Sequence, residues 1–564
     1  MRPGFKYHKL WLSLIVAPLS LGLLLALVEA ALWVVGVAEP PHYFSLSTDD
    51  GGARWLVAGD HSPRPEARFR TQRISLEKDR NTLRIVCLGD STTYGLPFDL
   101  PAPFSCWLEE RLSVLLPEQT AQVLNLGGPG LDARAILSLF HEVAVADADL
   151  YVLYCGHNEL LESNLPAALD PWSDRARRLV EKTRLGRTLL KMAPRSPDAA
   201  LVEVLRRSDT IRREPPIPPA AIDRACRNFE ASFRALIEAI HGAGRKALIC
   251  LPVSDAVDTP PQVSCFSRVL TEAQQNQFQT ELDRLRAERR QAESDPQAAM
   301  TRVDQALSSL ASLTSIDPSV AAVHYERARW LLLRGDLELA RKSFERALDA
   351  DSHPIRATSR IRRILLEIAA ELAVPSADPL PLFVREARGS LPRQQGLFVD
   401  YCHPDLRGHE LIADSILACM KENDLPVPRN QLRTEEPSRE EYRLRMGFRD
   451  DQQAAVLARQ ALFALGQGFF DPDSEEVAKA HRFLDLSLSI DAACAPAHVG
   501  RGFIAILRNE PRNALDCWTR AWQIAPQELA IVEQSRTTNP EIDRRIRVCG
   551  IELDSGTLEP RIRR

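Results

Sequence analysis

Four short apolar runs, at 83–88, 122–126, 150–154 and 246–251, are separated by stretches of helical periodicity at 105–116, 133–145 and 221–241. None of the runs alternates strictly between apolar and polar residues, so each suits a strand buried on both faces. Strands of that kind joined by helices pair in parallel, because each crossover carries the chain back along the sheet. The expected fold is α/β: three layers, with a parallel sheet flanked by helices. Gly242 and Gly244 supply the helix stop before the fourth strand.

A chain of 564 residues exceeds one ordinary core, so further domains are expected. Residues 39–81 are rich in Pro, Gly and charge and read as a linker. Residues 172–220 are helical, basic and punctuated by Pro215, Pro216, Pro218 and Pro219, which suits a lid-like segment. From 272 to 352 the pattern is continuously helical. There Ala328, Gly335, Asp336, Ala340, Phe344 and Ala347 resemble the offsets of a tetratricopeptide repeat, in which small residues let two antiparallel helices touch. Gly502, Ala514, Trp518, Ala521 and Pro526 fit the same offsets, preceded by Gly468, Ala480 and Leu484. Ala480 and Ala514 stand about 34 residues apart, the repeat length. The expected division is an anchor at 1–38, a linker at 39–81 and a sheet domain at 82–425. A tetratricopeptide-like insertion occupies 272–354 within that domain, and a second such helical domain occupies 426–564.

Between Trp11 and Val37 the only charge is Glu29, and the run is long enough to cross a bilayer as a helix. Arg2, Lys6 and Lys9 precede it, while Glu39, Asp49 and Asp50 follow. That bias puts the N-terminus in the cytosol and the bulk of the chain outside, as a single-pass membrane protein. A cleaved signal peptide, with Val28 and Ala30 before the cut, is the competing reading; the apolar run exceeds the ~15 residues usual for one. Glu29 is expected near the outer interface, where its carboxylate reaches water.

Gly89-Asp90-Ser91 follows the first apolar run directly, at the strand end where open α/β sheets bind ligands. The start of the next helix can polarise the serine there. Asp400-Tyr401-Cys402-His403-Pro404 supplies the partners a serine nucleophile needs. The carboxylate fixes the imidazole tautomer, leaving the other ring nitrogen free to take a proton from serine. A metal site on His403 and His409 finds no third ligand at suitable spacing. Asn125-Leu126-Gly127-Gly128-Pro129-Gly130 follows the second strand and Gly156-His157-Asn158-Glu159 the third. Glycines at a strand end bring backbone N–H groups to a developing oxyanion, and an Asn amide adds another donor. Gly128 to Ala133 imitates a dinucleotide-binding turn, but it follows the wrong strand and Pro129 removes a donor.

These blocks, in this order, resemble the SGNH (GDSL-type) hydrolase superfamily, over roughly 83–275 and 355–420. The resemblance implies a flavodoxin-like sheet and a triad of Ser91 as nucleophile with Asp400 and His403. It also implies an oxyanion hole of Ser91, Gly130 and Asn158. The blocks depart from the family in reading Gly-Asp-Ser-Thr and Gly-His-Asn-Glu, which bears on subfamily rather than mechanism. His409, on the helix that follows, reads as structural. Members that combine an anchor, this domain and such repeats are bacterial.

The implied activity is hydrolysis of O-acyl esters through an acyl-serine, with no metal and no organic cofactor. Outside the cytoplasm, in the periplasm, an acylated envelope glycan or lipid is the natural substrate class. Acyl transfer to a polysaccharide hydroxyl is the neighbouring chemistry. A non-catalytic helical-repeat scaffold is the alternative from another class, and the repeats leave room for a protein partner. With a net charge of −5 and no long single-sign run, nucleic acid is not expected as a partner. The eleven cysteines show neither zinc-type spacing nor a disulfide framework.

Overall fold

The computed structural model describes residues 4–37, 42–59, 69–98, 102–161, 180, 182–192, 216–294, 296–387, 397–468, 475–554 and 556–562. Five strands form the central sheet: β1 Thr82–Gly89, β2 Thr120–Gly127, β3 Leu150–Tyr154, β4 Lys246–Cys250 and β5 Ser376–Ala377. Their order is β2-β1-β3-β4-β5, with every neighbouring pair parallel. Gly89 stands opposite Gly127 on one side and Tyr154 on the other, so three motif-bearing strand ends finish at one edge. The chain runs to opposite sides of β1 at β2 and β3, which opens a crevice at that edge.

Successive side chains leave opposite faces of a strand. Val86, Leu88, Leu126, Tyr151 and Leu153 pack into one core, with helices Ala133–Val143, Pro219–Gly242 and Ser359–Glu371. Ile85, Cys87, Val152 and Leu248 pack into the other, with helices Phe104–Leu115 and Leu406–Glu422. Ile85, Val86, Cys87 and Leu88 are all 0% exposed. Burying each large apolar side chain contributes about 1.5–3 kcal/mol, which is why the run tolerates no polar alternation. The two-residue β5 was not expected, because so short a strand carries no periodicity.

Residues 39–81 are more than a linker. Phe44–Thr48, Arg54–Ala58 and Arg73–Ser75 form a three-stranded antiparallel sheet. Tyr43 and Phe44 donate their backbone N–H groups to Glu142 at 2.7 and 2.8 Å, pinning this sheet to helix Ala133–Val143. Its buried residues, among them Leu56 and Ile74, join the first core.

Helices Glu272–Ser294, Pro296–Ile316, Ala321–Arg334 and Leu337–Asp349 occupy the region between β4 and β5. Ala328, Ala340, Phe344 and Ala347 share one small core there. After the sheet domain, helices Asp450–Gly468, Glu475–Ile490, Ala495–Leu507 and Pro511–Ile524 share another. An unexpected ribbon, Ile551–Leu553 with Pro560–Ile562, closes the C-terminal part. The lid-like reading at 172–220 falls mostly outside the described residues.

The apolar N-terminal sequence forms one helix, Gly4–Val34. Among the described residues no helix is long and apolar enough to cross a membrane. Glu29 is not simply a solvated carboxylate: it accepts the backbone N–H groups of Arg184 and Leu185 at 2.6 and 2.9 Å. It thereby caps the basic helix Arg184–Met192.

Candidate active site

β1 ends at Gly89 because nothing larger fits: a Cβ there would lie 2.1 Å from both the Tyr154 carbonyl oxygen and Thr93 Oγ1. Thr93 donates to that carbonyl at 2.7 Å, which folds the chain sharply over the end of β3. Asp90 caps the turn, accepting the Thr92 N–H at 2.9 Å. Ser91 is left at the start of a single helical turn, Ser91–Tyr94. The expected dipole of a full helix is therefore reduced to one turn, in which Asp90 takes the Thr92 N–H and leaves the Ser91 N–H at its head.

The Asp400–His403 loop is a tight return. Val399 N–H donates to the His403 carbonyl at 2.8 Å, and Phe398 bridges to Pro404. Asp400 Oδ1 accepts the N–H groups of Cys402 and His403 at 2.9 and 2.8 Å, which holds the loop around the carboxylate. Its other oxygen lies 2.7 Å from His403 Nδ1, and His403 Nε2 lies 2.8 Å from Ser91 Oγ. The carboxylate calls for a proton on Nδ1, so Nε2 is the acceptor for the serine hydroxyl. All three side chains are nearly buried, at 7% exposure for Ser91, 6% for His403 and 2% for Asp400.

Burial pushes the His403 imidazole toward its neutral form, but the charge and hydrogen bond of Asp400 outweigh it, and its pKa is raised above 6.5. Burial likewise pushes the Asp400 carboxyl up. The His403 charge and the hydrogen bonds from the loop prevail, leaving it lowered.

The other two strand-end loops are tied to the serine turn. Gly128 N–H donates to the Gly89 carbonyl at 3.1 Å, and His157 N–H to Asp90 Oδ2 at 3.4 Å. Asn125 donates from Nδ2 to the Thr93 carbonyl and to Ser105 Oγ, both at 2.8 Å. Asn158 Nδ2 donates to the Leu131 carbonyl at 3.1 Å, beside Gly130 in the left-handed region at φ 75. Ser91, Asp400 and His403 are thus brought into one hydrogen-bonded chain. Asn158 meets the neighbouring loop at Leu131, one residue after Gly130.

His409 is 0% exposed and accepts the Phe104 N–H on Nδ1 at 3.3 Å. Asp400, Cys402 and His403 do present atoms within 4.8 Å of one another. That triplet is the Asp–His contact itself plus a thiol that burial pushes well above its ordinary pKa, opposing the thiolate a metal needs.

Sequence reasoning named His157 without giving it a role. It is buried, and its Nδ1 accepts the Ala357 N–H at 3.2 Å, joining the third-strand loop to the end of the helical insertion. Phe463 and Lys479 had no motif to announce them. Their rings and charges reach the catalytic loop from the C-terminal helices.

No protein-family model matches the chain, and no curated protein matches it. Among solved structures, an acetylxylan esterase from Geobacillus stearothermophilus is 12% identical with a TM-score of 0.29, covering 60% of this chain and 94% of its own. A lipase/acylhydrolase from Enterococcus faecalis is 12% identical with a TM-score of 0.28, covering 63% of this chain and 100% of its own. A likeness of that size assigns no chemistry to this chain.

Proposed function

We propose that the chain is a serine ester hydrolase of the SGNH kind. The observation that carries this is the hydrogen-bonded run from Ser91 Oγ to His403 and on to Asp400, at 2.8 and 2.7 Å. His403 Nε2 takes the hydroxyl proton as Ser91 Oγ attacks the ester carbonyl, while Asp400 stabilises the imidazolium. The N–H groups of Ser91 and Gly130 and the Asn158 amide receive the oxyanion. Collapse expels the alcohol with the proton from His403, and water, activated by the same base, releases the acyl group.

An acylated glycan or lipid is the substrate class in this reading. The anchor belongs to the same proposal: the apolar sequence from Trp11 to Val37 is its support, together with Leu19, Leu21, Leu23, Leu24 and Leu27, which lie 45% or more exposed. The catalytic domain then faces the periplasm. The helix pairs around Phe344 and Trp518 are read as tetratricopeptide-like units.

Turnover of a short-chain aryl ester tests the assignment. Ser91→Ala and His403→Ala are each expected to lose turnover by orders of magnitude, with the double variant little worse than either. Asn158→Ala is expected to lose on the order of 10²–10³. Full activity in Ser91→Ala would end the assignment.

A further inference from the structure

The loop that carries Asp400 and His403 is held from outside the sheet domain. Lys479, on helix Glu475–Ile490, donates from Nζ to the Val399 carbonyl at 2.7 Å, one residue before Asp400. It is 8% exposed and feels the charges of Asp255, Asp400, Asp405 and Asp258. On helix Asp450–Gly468, the Phe463 ring meets the His403 imidazole edge-on, with centroids 5.7 Å apart. A third grip lies just past the loop. Glu410, 0% exposed on helix Leu406–Glu422, pairs with Arg439 at 2.5 Å and Arg443 at 2.9 Å, both from the segment leading into those helices.

These contacts have a common direction. Val399 and Glu410 flank the Asp400–His403 turn, and residues from beyond 425 hold both, joined at Glu410 by Arg407 of its own helix at 2.6 Å. A buried ammonium costs desolvation that ordinary packing would avoid. Here that cation sits on a carbonyl of the loop whose geometry the proton relay needs. Phe448 extends the contact by stacking on Trp107 at 5.7 Å, and Val456 and Phe463 pack against the second core.

We propose that the C-terminal helical segment is a structural part of the catalytic centre. Lys479 acts in it as a positioning residue for the Asp400–His403 loop, and Phe463 walls the imidazole. This rests on the serine-hydrolase reading. Lys479 sets where the loop backbone lies and balances the carboxylates around Asp400; Phe463 keeps bulk water from one side of the base. Misplacing the base by about 1 Å is enough to cost up to 10²-fold in rate.

The test uses the full chain and a short-chain aryl ester. Lys479→Met is expected to lower kcat on the order of 10- to 100-fold while KM changes little. The acid limb of its pH–rate profile moves upward, because the carboxylates near His403 lose one of the cations that balance them, the buried Arg356 remaining. Lys479→Arg is expected to restore most of kcat. Phe463→Leu, which keeps an apolar side chain at a half-buried site, lowers kcat without lowering the melting temperature.

A Lys479→Met protein that melts lower yet keeps kcat and its pH profile has lost only packing, and overturns the proposal. If Lys479→Met does not fold, Phe463→Leu decides: unchanged kcat overturns the proposal, and reduced kcat at unchanged melting supports it. Ser91→Ala run alongside separates the two readings, since activity surviving there removes the hydrolase assignment itself.

Discussion

His403 sits under two opposed influences, burial pressing its pKa down and Asp400 pressing it up, and the second wins. Because the base must be neutral, kcat/KM is expected to rise with pH through a midpoint above the ordinary 6.5. In Asp400→Asn only the Asp90 charge still opposes burial, so the midpoint falls, and the lost tautomer lowers kcat on the order of 10⁴-fold. A pH–rate profile of the two proteins checks both effects, and an unmoved midpoint contradicts this account. His157 behaves in the opposite sense: burial holds its pKa down to about 4, against 6.5 when exposed. Below 6.5 the unfolded chain binds that proton and the folded one does not, so stability present above 6.5 is lost as pH falls toward 4. The loss amounts to about 3 kcal/mol at ~1.4 kcal/mol per unit. His157→Asn, which can still accept the Ala357 N–H, is expected to flatten the fall in urea midpoint over that interval.

The strand ends were legible because their chemistry is local. Gly89 is required by a backbone approach, Asp90 by a cap and the apolar run by two-sided burial. Helix limits shifted by a residue or so, as at Phe104–Leu115 against the expected 105–116, because periodicity does not mark the terminal residue of a helix. The small sheet at 44–75 was hidden by its own composition, since its turns are rich in Gly and charge and its strands bury only one face. Among the C-terminal helices the tightest approach is at Gly502, where a Cβ would stand 2.1 Å from Trp518 Nε1. That nitrogen donates to the Val499 carbonyl at 3.1 Å. Gly502→Ala is expected to force the indole aside and destabilise the pair Ala495–Leu507 and Pro511–Ile524 by about 1–3 kcal/mol. Limited proteolysis should then release fragments from the C-terminal part while the sheet domain stays resistant. An unchanged digestion pattern and melting curve would show the pair adapts at no cost.

At the scale of the whole molecule, the anchor reading makes a topological demand: a reporter active only in the periplasm, fused after residue 40, should be active. Protease protection of the C-terminal helices in spheroplasts would reverse it. What the amino-acid order determined alone was whatever depends on neighbours a few residues apart: strand and helix type, the Asp-x-x-His turn, the serine turn and the small residues between paired helices. Those follow from backbone sterics, periodicity and local hydrogen bonds. What only the tertiary structure decided was which distant groups meet. Ser91 reaches His403 across 312 residues because β1 lies mid-sheet and the loop returns past its end. Lys479 and Phe463 reach the same loop because a separate helical face docks there. No motif encodes such a meeting, since docking depends on the shape and burial of whole surfaces, to which each residue contributes only a contact.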